Sequence, residues 1–267
     1  MISGIFRENQ AFFKWYGGFY RRALHCFTHF FVQNESSGNL IKSLGFTNVT
    51  VSGDTRFDRV YAIAERDNHL DFVEEFKDKD LLVVAGSSWE PDEKLLVEYI
   101  NQNKSTTKFV IAPHNIKSEQ IQSLKSQINK SVVLFSEKEG KNLSDFEVLI
   151  IDTIGILTKI YSYADIAYVG GGFGNPGVHN VLEPAVFGIP IVIGKNYTHF
   201  AEAIQLVNLK GVISIKNQQE LNQILDKLLS EEDYRKEKGK ICADFIVSQK
   251  GATQRIMDFL TEKSDFK

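Results

Sequence analysis

Cysteine is nearly absent from this chain. Cys26 and Cys242 are the only two in 267 residues, and neither sits in a CxxC spacing. This argues against a disulfide framework and for a reducing compartment. Long apolar runs are missing as well: no stretch of eighteen apolar residues occurs, so no segment reads as a transmembrane helix, and no secretory-signal pattern follows Met1. Excess positive charge is also lacking. The net charge is −3, with seven Lys/Arg against four Asp/Glu in residues 1–59 and 24 against 30 in the remainder, which is not the balance of a nucleic-acid binder. There is no internal repeat and no low-complexity segment. What remains is a soluble or peripheral chain, 43% hydrophobic, long enough for one large domain or two smaller ones.

The most informative stretch is 166–194, IAYVGGGFGNPGVHNVLEPAVFGIPIVIG. Two short apolar runs, 166–169 and 189–193, fit buried parallel strands. Between them lie Gly170, Gly171, Gly172, Gly174 and Gly177, and then an apolar helix expected to begin near Asn180. Glycines let backbone approach a ligand closely, and a helix N-terminus favours an anion. The competing interpretation is purely structural: Asn180 and Glu183 have capping-box spacing, and Pro184 and Gly188 could simply shape the ends of a short helix. His179 and Glu183 stand four apart, as half a metal site would, but no third ligand of sensible spacing is near, and no metal is expected.

From Leu81 onward apolar strand candidates alternate with helical segments: 81–85, 108–113, 132–135, 148–151, 166–169, 189–193 and 212–215. The alternation predicts a doubly wound, mostly parallel, Rossmann-like α/β sheet, whose ligands bind beyond the carboxyl ends of the strands. Three further strand–helix loops carry candidates. Gly86-Ser87-Ser88-Trp89-Glu90 offers glycine and hydroxyls before a helix opening near Pro91, suited to a phosphate or carboxylate or simply to capping. The others are Pro113-His114-Asn115 and Asp152-Thr153-Ile154-Gly155-Ile156.

The run Gly170-Gly-Gly-Phe, Gly177-Val-His179-Asn180-Val-Leu-Glu183-Pro184-Ala185 and Gly188-Ile-Pro190 resembles the donor-site signature of 3-deoxy-D-manno-octulosonic acid (Kdo) transferases, lipid A glycosyltransferases of Gram-negative bacteria. The Glu-Pro-x-x-x-x-Gly portion is shared among two-domain nucleotide-sugar transferases; Gly-x-His-Asn narrows the choice. The resemblance extends from about Val51 to Gln205. It implies a GT-B fold, an inverting transfer of Kdo from CMP-Kdo to a lipid A precursor, no cofactor, and a place at the cytoplasmic face of the inner membrane. It assigns Ser87, Ser88, Pro113, His114, Ile154, Gly155, Gly171, Gly172, His179, Asn180 and Glu183 to the donor. Glu183 would accept the ribose hydroxyls, Asn180 and the glycine-loop amides would hold polar groups of CMP or Kdo, and His179 would meet the sugar carboxylate or the phosphate. Three positions depart from the pattern: Arg56 stands where Lys is usual, His114 where Arg is usual, and Ile156 where an acid is common. A UDP-sugar transferase, a UDP-GlcNAc 2-epimerase-like enzyme and a non-catalytic nucleotide-binding domain remain as alternatives.

Residues 1–34 crowd Phe12, Phe13, Trp15, Tyr16, Phe19 and Tyr20 with Lys14, Arg21 and Arg22, followed by the apolar run 27–32. This composition suits either an interfacial membrane helix or the closing elements of a domain. The resemblance favours the second, with residues 1–55 closing a truncated acceptor domain and 56–267 forming the donor domain. On that expectation the general base, a glutamate near the start of the relatives' first domain, lies outside this chain, and the chain alone is inactive. A helix over 36–44 stopped by Gly45 and a strand over 49–51 are expected next, then an exposed polar linker holding Asp54 and Asp58.

Overall fold

The computed structural model describes residues 1–262. The chain divides into two compact units: Met1–Ile63 joined by the described residues from Val247 onward, and Ala64–Ile246.

In the first unit two short parallel strands, β1 (Phe30–Val32) and β2 (Val49–Val51), pair in register from Phe30 opposite Val49. The helix Glu35–Ser43 connects them; Asn34 caps it by accepting the N–H of Ser37 at 2.9 Å, and Gly45 ends the segment at φ +91°. Phe6, Leu24, Phe30, Val32 and Ile41 make a buried cluster, against which Phe12 and Phe13 pack. Trp15, Tyr16, Phe19 and Tyr20 face outward, with Trp15 93% and Phe19 77% exposed.

The stretch expected as an exposed linker is instead the helix Thr55–Ala64. Asp54 is buried; its carboxylate accepts the Arg56 N–H at 2.9 Å and pairs with the Arg56 guanidinium at 2.8 Å. Asp58 accepts the backbone N–H groups of Gly251 and Thr253, at the start of the helix Ala252–Glu262. Burial opposes its ionisation, but those two bonds and Arg255 hold its carboxyl below the ordinary range. This anchoring groups the last helix with the first unit, whereas the sequence suggested a boundary near residue 55 with everything after it in one domain.

The second unit is built on seven parallel strands: β3 (Leu82–Ser88), β4 (Lys108–Pro113), β5 (Val132–Leu134), β6 (Val148–Ile150), β7 (Ile166–Val169), β8 (Ile191–Ile193) and β9 (Val212–Ser214). Their spatial order is β5-β6-β4-β3-β7-β8-β9. The central strands are buried along nearly their whole length, which is why they read as continuous apolar runs without alternation. Helices cover the sheet, among them Glu90–Gln102, Ser118–Gln127 and Gln218–Ser230, whose apolar faces bury Leu96, Ile100, Leu124, Leu221 and Leu225. The strand order reverses between β3 and β7. Chain from β3 proceeds toward β4, chain from β7 toward β8, and the loops at the carboxyl ends of these two neighbours flank the position where such sheets bind ligands.

Candidate functional site

The switch point is tightly closed by backbone. Strand β3 ends in a register shift between Gly86 and Ser88, with Ser87 in a left-handed conformation at φ +53°. Gly170, the first residue after β7, donates to the Gly86 carbonyl at 2.9 Å. A Cβ on Gly170 would lie 2.4 Å from the Ser87 carbonyl oxygen, and one on Gly172 2.6 Å from the Gly194 nitrogen. These glycines therefore let strand-end loops approach each other. The sequence suggested that they leave room for a ligand, but much of that space is filled by the protein's own chain.

Asp92 joins the two loops. It is wholly buried in the first turn of the helix Glu90–Gln102. One carboxylate oxygen accepts the N–H groups of Trp89 at 3.0 Å and Gly171 at 2.8 Å; the other accepts the Tyr168 hydroxyl at 2.8 Å. Gly171 thus turns its amide inward onto Asp92, and that N–H is not offered to a ligand as the resemblance implied. Burial, and then the Asp92 charge and hydrogen bond, push the Tyr168 hydroxyl far above its ordinary pKa, so it stays a donor.

Around this anchor three rings stack. The Trp89 and His114 rings lie 4.5 Å apart at 17°, and the His114 and His179 rings 4.6 Å apart at 25°. The indole Nε1–H of Trp89 donates to His179 Nε2 at 2.8 Å. His114 is fixed by its backbone N–H, which donates to the Ser88 carbonyl at 2.8 Å. Burial, followed by the neighbouring His114, lowers the His179 pKa, with Asp92 opposing.

Next to His179 comes the carboxylate of Glu183. It accepts from the Thr158 hydroxyl at 3.0 Å on one oxygen and from the Asn180 side-chain amide at 3.0 Å on the other. Asn180 in turn accepts the Leu182 N–H at 3.1 Å. This is an Asx-type turn and differs from a capping box, in which the bond would reach the third residue on and Glu183 would return to backbone. The helix here is only Leu182–Ala185, shorter than the sequence suggested, so a helix-dipole argument for anion binding loses its force. Thr158 brings in the loop after β6, where Ile154 is 79% exposed and Gly155 adopts φ +92°.

Ser88, His114, Gly171, His179, Asn180 and Glu183 therefore form a connected strip at the carboxyl edge of the sheet. A cavity of about 580 Å³ opens beside it, between the helices Glu90–Gln102 and Ser118–Gln127. Ser88, Trp89 and Pro113 line it, together with Glu93; His179, Asn180 and Glu183 do not. Burial raises the Glu93 carboxyl pKa, against the hydrogen bond from Ser88. Sequence reasoning missed Trp89, Asp92, Thr158 and Tyr168. The one available signal was an acid at the third position of the helix after Trp89, a place from which carboxylates reach back to the cap N–H.

Comparison with known proteins bears on these residues. Residues 1–59 match the family model described as 3-Deoxy-D-manno-octulosonic-acid transferase (kdotransferase), a segment lying mostly ahead of the stretch that carries the motif resemblance. The chain is 25% identical over 249 residues to the 3-deoxy-D-manno-octulosonic acid transferase of Haemophilus influenzae, covering 85% of this chain and 55% of that protein. In three dimensions it resembles the C-terminal CMP-Kdo binding domain of WaaA from Acinetobacter baumannii, with a TM-score of 0.57 at 21% identity, over 67% of this chain and 99% of that one. It also resembles an S. aureus MnaA–UDP co-structure, with a TM-score of 0.60 at 13% identity over 100% of this chain and 69% of that one. The fold is of the GT-B glycosyltransferase type. The chain spans about half the length of the curated relatives it matches. No helix among the described residues is long and apolar enough to cross a membrane.

Proposed function

We propose, from its similarity to the Kdo transferases in both its first 59 residues and its parallel sheet, that this chain supplies the donor-binding half of an inverting glycosyltransferase. The donor is CMP-Kdo and the acceptor a lipid A precursor, met at the cytoplasmic face of the inner membrane. The observation that carries this reading is the Gly-x-His-Asn-x-x-Glu strip at the switch point, with Glu183 presenting an organised carboxylate beside His179. A carboxylate held from two directions is oriented for bidentate acceptance from a vicinal diol, the recognition element of a ribose.

In this reading the nucleotide lies across the loops at Ser87, Ser88, Pro113, His114 and Gly155, with exposed Ile154 packing on the base. Asn180 and His179 meet the phosphate or the sugar carboxylate. Burial lowers the His179 pKa, so the ring meets that group as a neutral hydrogen-bond donor at neutral pH.

The second reading is a UDP-sugar enzyme on the same scaffold, favoured by His114 standing where the Kdo transferase pattern has Arg. Calorimetric titration with CMP, UMP and UDP-GlcNAc separates the two. The bases differ in one amino or carbonyl group, and a mismatch that leaves a buried polar atom unpaired costs about 1–3 kcal/mol. CMP should bind at least several-fold more tightly than UMP. A preference for UMP or UDP-GlcNAc favours the second reading, and failure to bind any of them removes both.

A further inference from the structure

The indole of Trp89 has no role in the donor assignment above, yet it is the group that decides how His179 can act. An indole N–H can only donate. Since Trp89 Nε1–H points at His179 Nε2 at 2.8 Å, that nitrogen must carry a lone pair, and the ring's proton resides on Nδ1. The indole is itself held. Its backbone N–H is fixed by buried Asp92, the same carboxylate that holds the glycine loop through Gly171, and its ring stacks on His114. The chain of contacts Asp92, Trp89, His179 is thus continuous, and each link is directional.

We propose that Trp89 is a positioning residue that fixes His179 as the neutral Nδ1–H tautomer, so that the ring offers one oriented N–H to an anionic group of the bound nucleotide sugar. The ligand part rests on the donor-site reading; the tautomer part does not. Trp89 touches no reacting atom in this account. It acts through His179, by occupying the nitrogen that would otherwise be the ring's preferred site for a proton. The Trp89 and His179 rings lie nearly parallel at 8°, and both stack on the His114 ring, which holds the plane in which the N–H···N bond is made.

The test is a long-range proton–nitrogen correlation on the full chain with nitrogen-15 histidine at pH 7.5, without ligand. His179 should show a protonated Nδ1 in the unaltered protein, and a protonated Nε2 in Trp89→Phe, which keeps the stack and removes the donor. A protonated Nε2 in the unaltered protein, or a protonated Nδ1 that survives Trp89→Phe, overturns the proposal. CMP-Kdo affinity should fall about 5- to 20-fold in Trp89→Phe and by a similar factor in His179→Gln. The double variant should lose no more than either single one, since both remove the same contact. Equal affinity in Trp89→Phe despite a switched tautomer overturns the positioning role. A switched tautomer in a protein that binds no CMP-Kdo supports the Trp89–His179 coupling and counts against the donor reading alone.

Discussion

The carboxylate of Asp92 accepts the backbone N–H of Gly171 at 2.8 Å, across 79 positions of sequence. Through this bond the helix after β3 holds the loop after β7, on the two sides of the sheet's switch point. Asp92 also takes Trp89 N–H and the Tyr168 hydroxyl, so a single buried side chain satisfies three donors.

Asp92→Ala should therefore be among the more damaging single changes in this chain. It removes the acceptor of two buried N–H groups and one buried hydroxyl, at about 1–3 kcal/mol for each group left unpaired. Urea denaturation should show a loss on the order of 2–4 kcal/mol. A midpoint equal to that of the unaltered protein would mean that Asp92 does not tie these loops together.

Glu183→Gln should behave in the opposite way. The glutamine oxygen can still accept from Asn180 and its amide can donate to the Thr158 hydroxyl, so both bonds of the folded state survive. What is lost is charge-assisted acceptance from the ribose diol, worth about 1–3 kcal/mol of binding. CMP titration should show roughly a tenfold or greater loss with little change in melting temperature. Intact CMP affinity with a lowered melting temperature would assign Glu183 to structure alone.

The glycines after β7 separate two physical roles. Gly170→Ala and Gly172→Ala each place a Cβ against backbone, at 2.4 Å and 2.6 Å. Backbone cannot move aside as a flexible side chain does, so each should cost at least about 1–3 kcal/mol. For Gly174 the nearest atom is 3.4 Å away on Pro176, and Gly174→Ala should hardly alter thermal unfolding. Equal melting temperatures for all three variants would contradict the close approach of the loops.

Much of this arrangement was legible in the chain itself. All seven strands of the large sheet are marked by short apolar runs because strands buried on both faces need no polar residues. The cluster of His179, Asn180 and Glu183 was visible because its members are close in sequence. Asp92 and Trp89 were not: their partners are Gly171, Tyr168 and His179, 76 to 90 residues away, and only the topology brings them together. The helix Thr55–Ala64 was read as a linker because Asp54 and Asp58 look like solvated charges, whereas Asp54 is buried in a local pair and Asp58 anchors a helix start nearly two hundred residues on.

His179 should leave a mark on the pH dependence of stability. Its folded pKa lies below the ordinary value of about 6.5, so between the two the unfolded chain binds more protons than the folded one. Stability from this residue is complete above pH 6.5 and is lost as pH falls through that window. The groups around it are His114, which disfavours its protonation, and Asp92, which favours it. His179→Gln should flatten the decline in melting temperature between about pH 7 and 5. An unchanged profile in the variant would locate the acid sensitivity elsewhere.

The donor-site reading also predicts that this polypeptide binds CMP but transfers little sugar unaided. Inverting transfer needs a general base within about 3 Å of the acceptor hydroxyl. Four carboxylates of the strip and the adjoining cavity already have partners: Glu183 with Thr158 and Asn180, Asp92 with three donors, Glu93 with Ser88, and Glu90 with Lys94 at 2.8 Å. Base assistance is worth roughly 10²–10⁴-fold, and fixed acceptor geometry contributes further through effective molarities of about 10⁵ M or more. Incubation of the chain with CMP-Kdo and a lipid A precursor, followed by mass spectrometry of the lipid, should show transfer at least 10²-fold slower than by a full-length Kdo transferase assayed alongside. Comparable rates would require one of these four carboxylates, or Glu119, which also lines the cavity, to serve as the base, and Glu93, with its raised pKa, would be the first of the four to test.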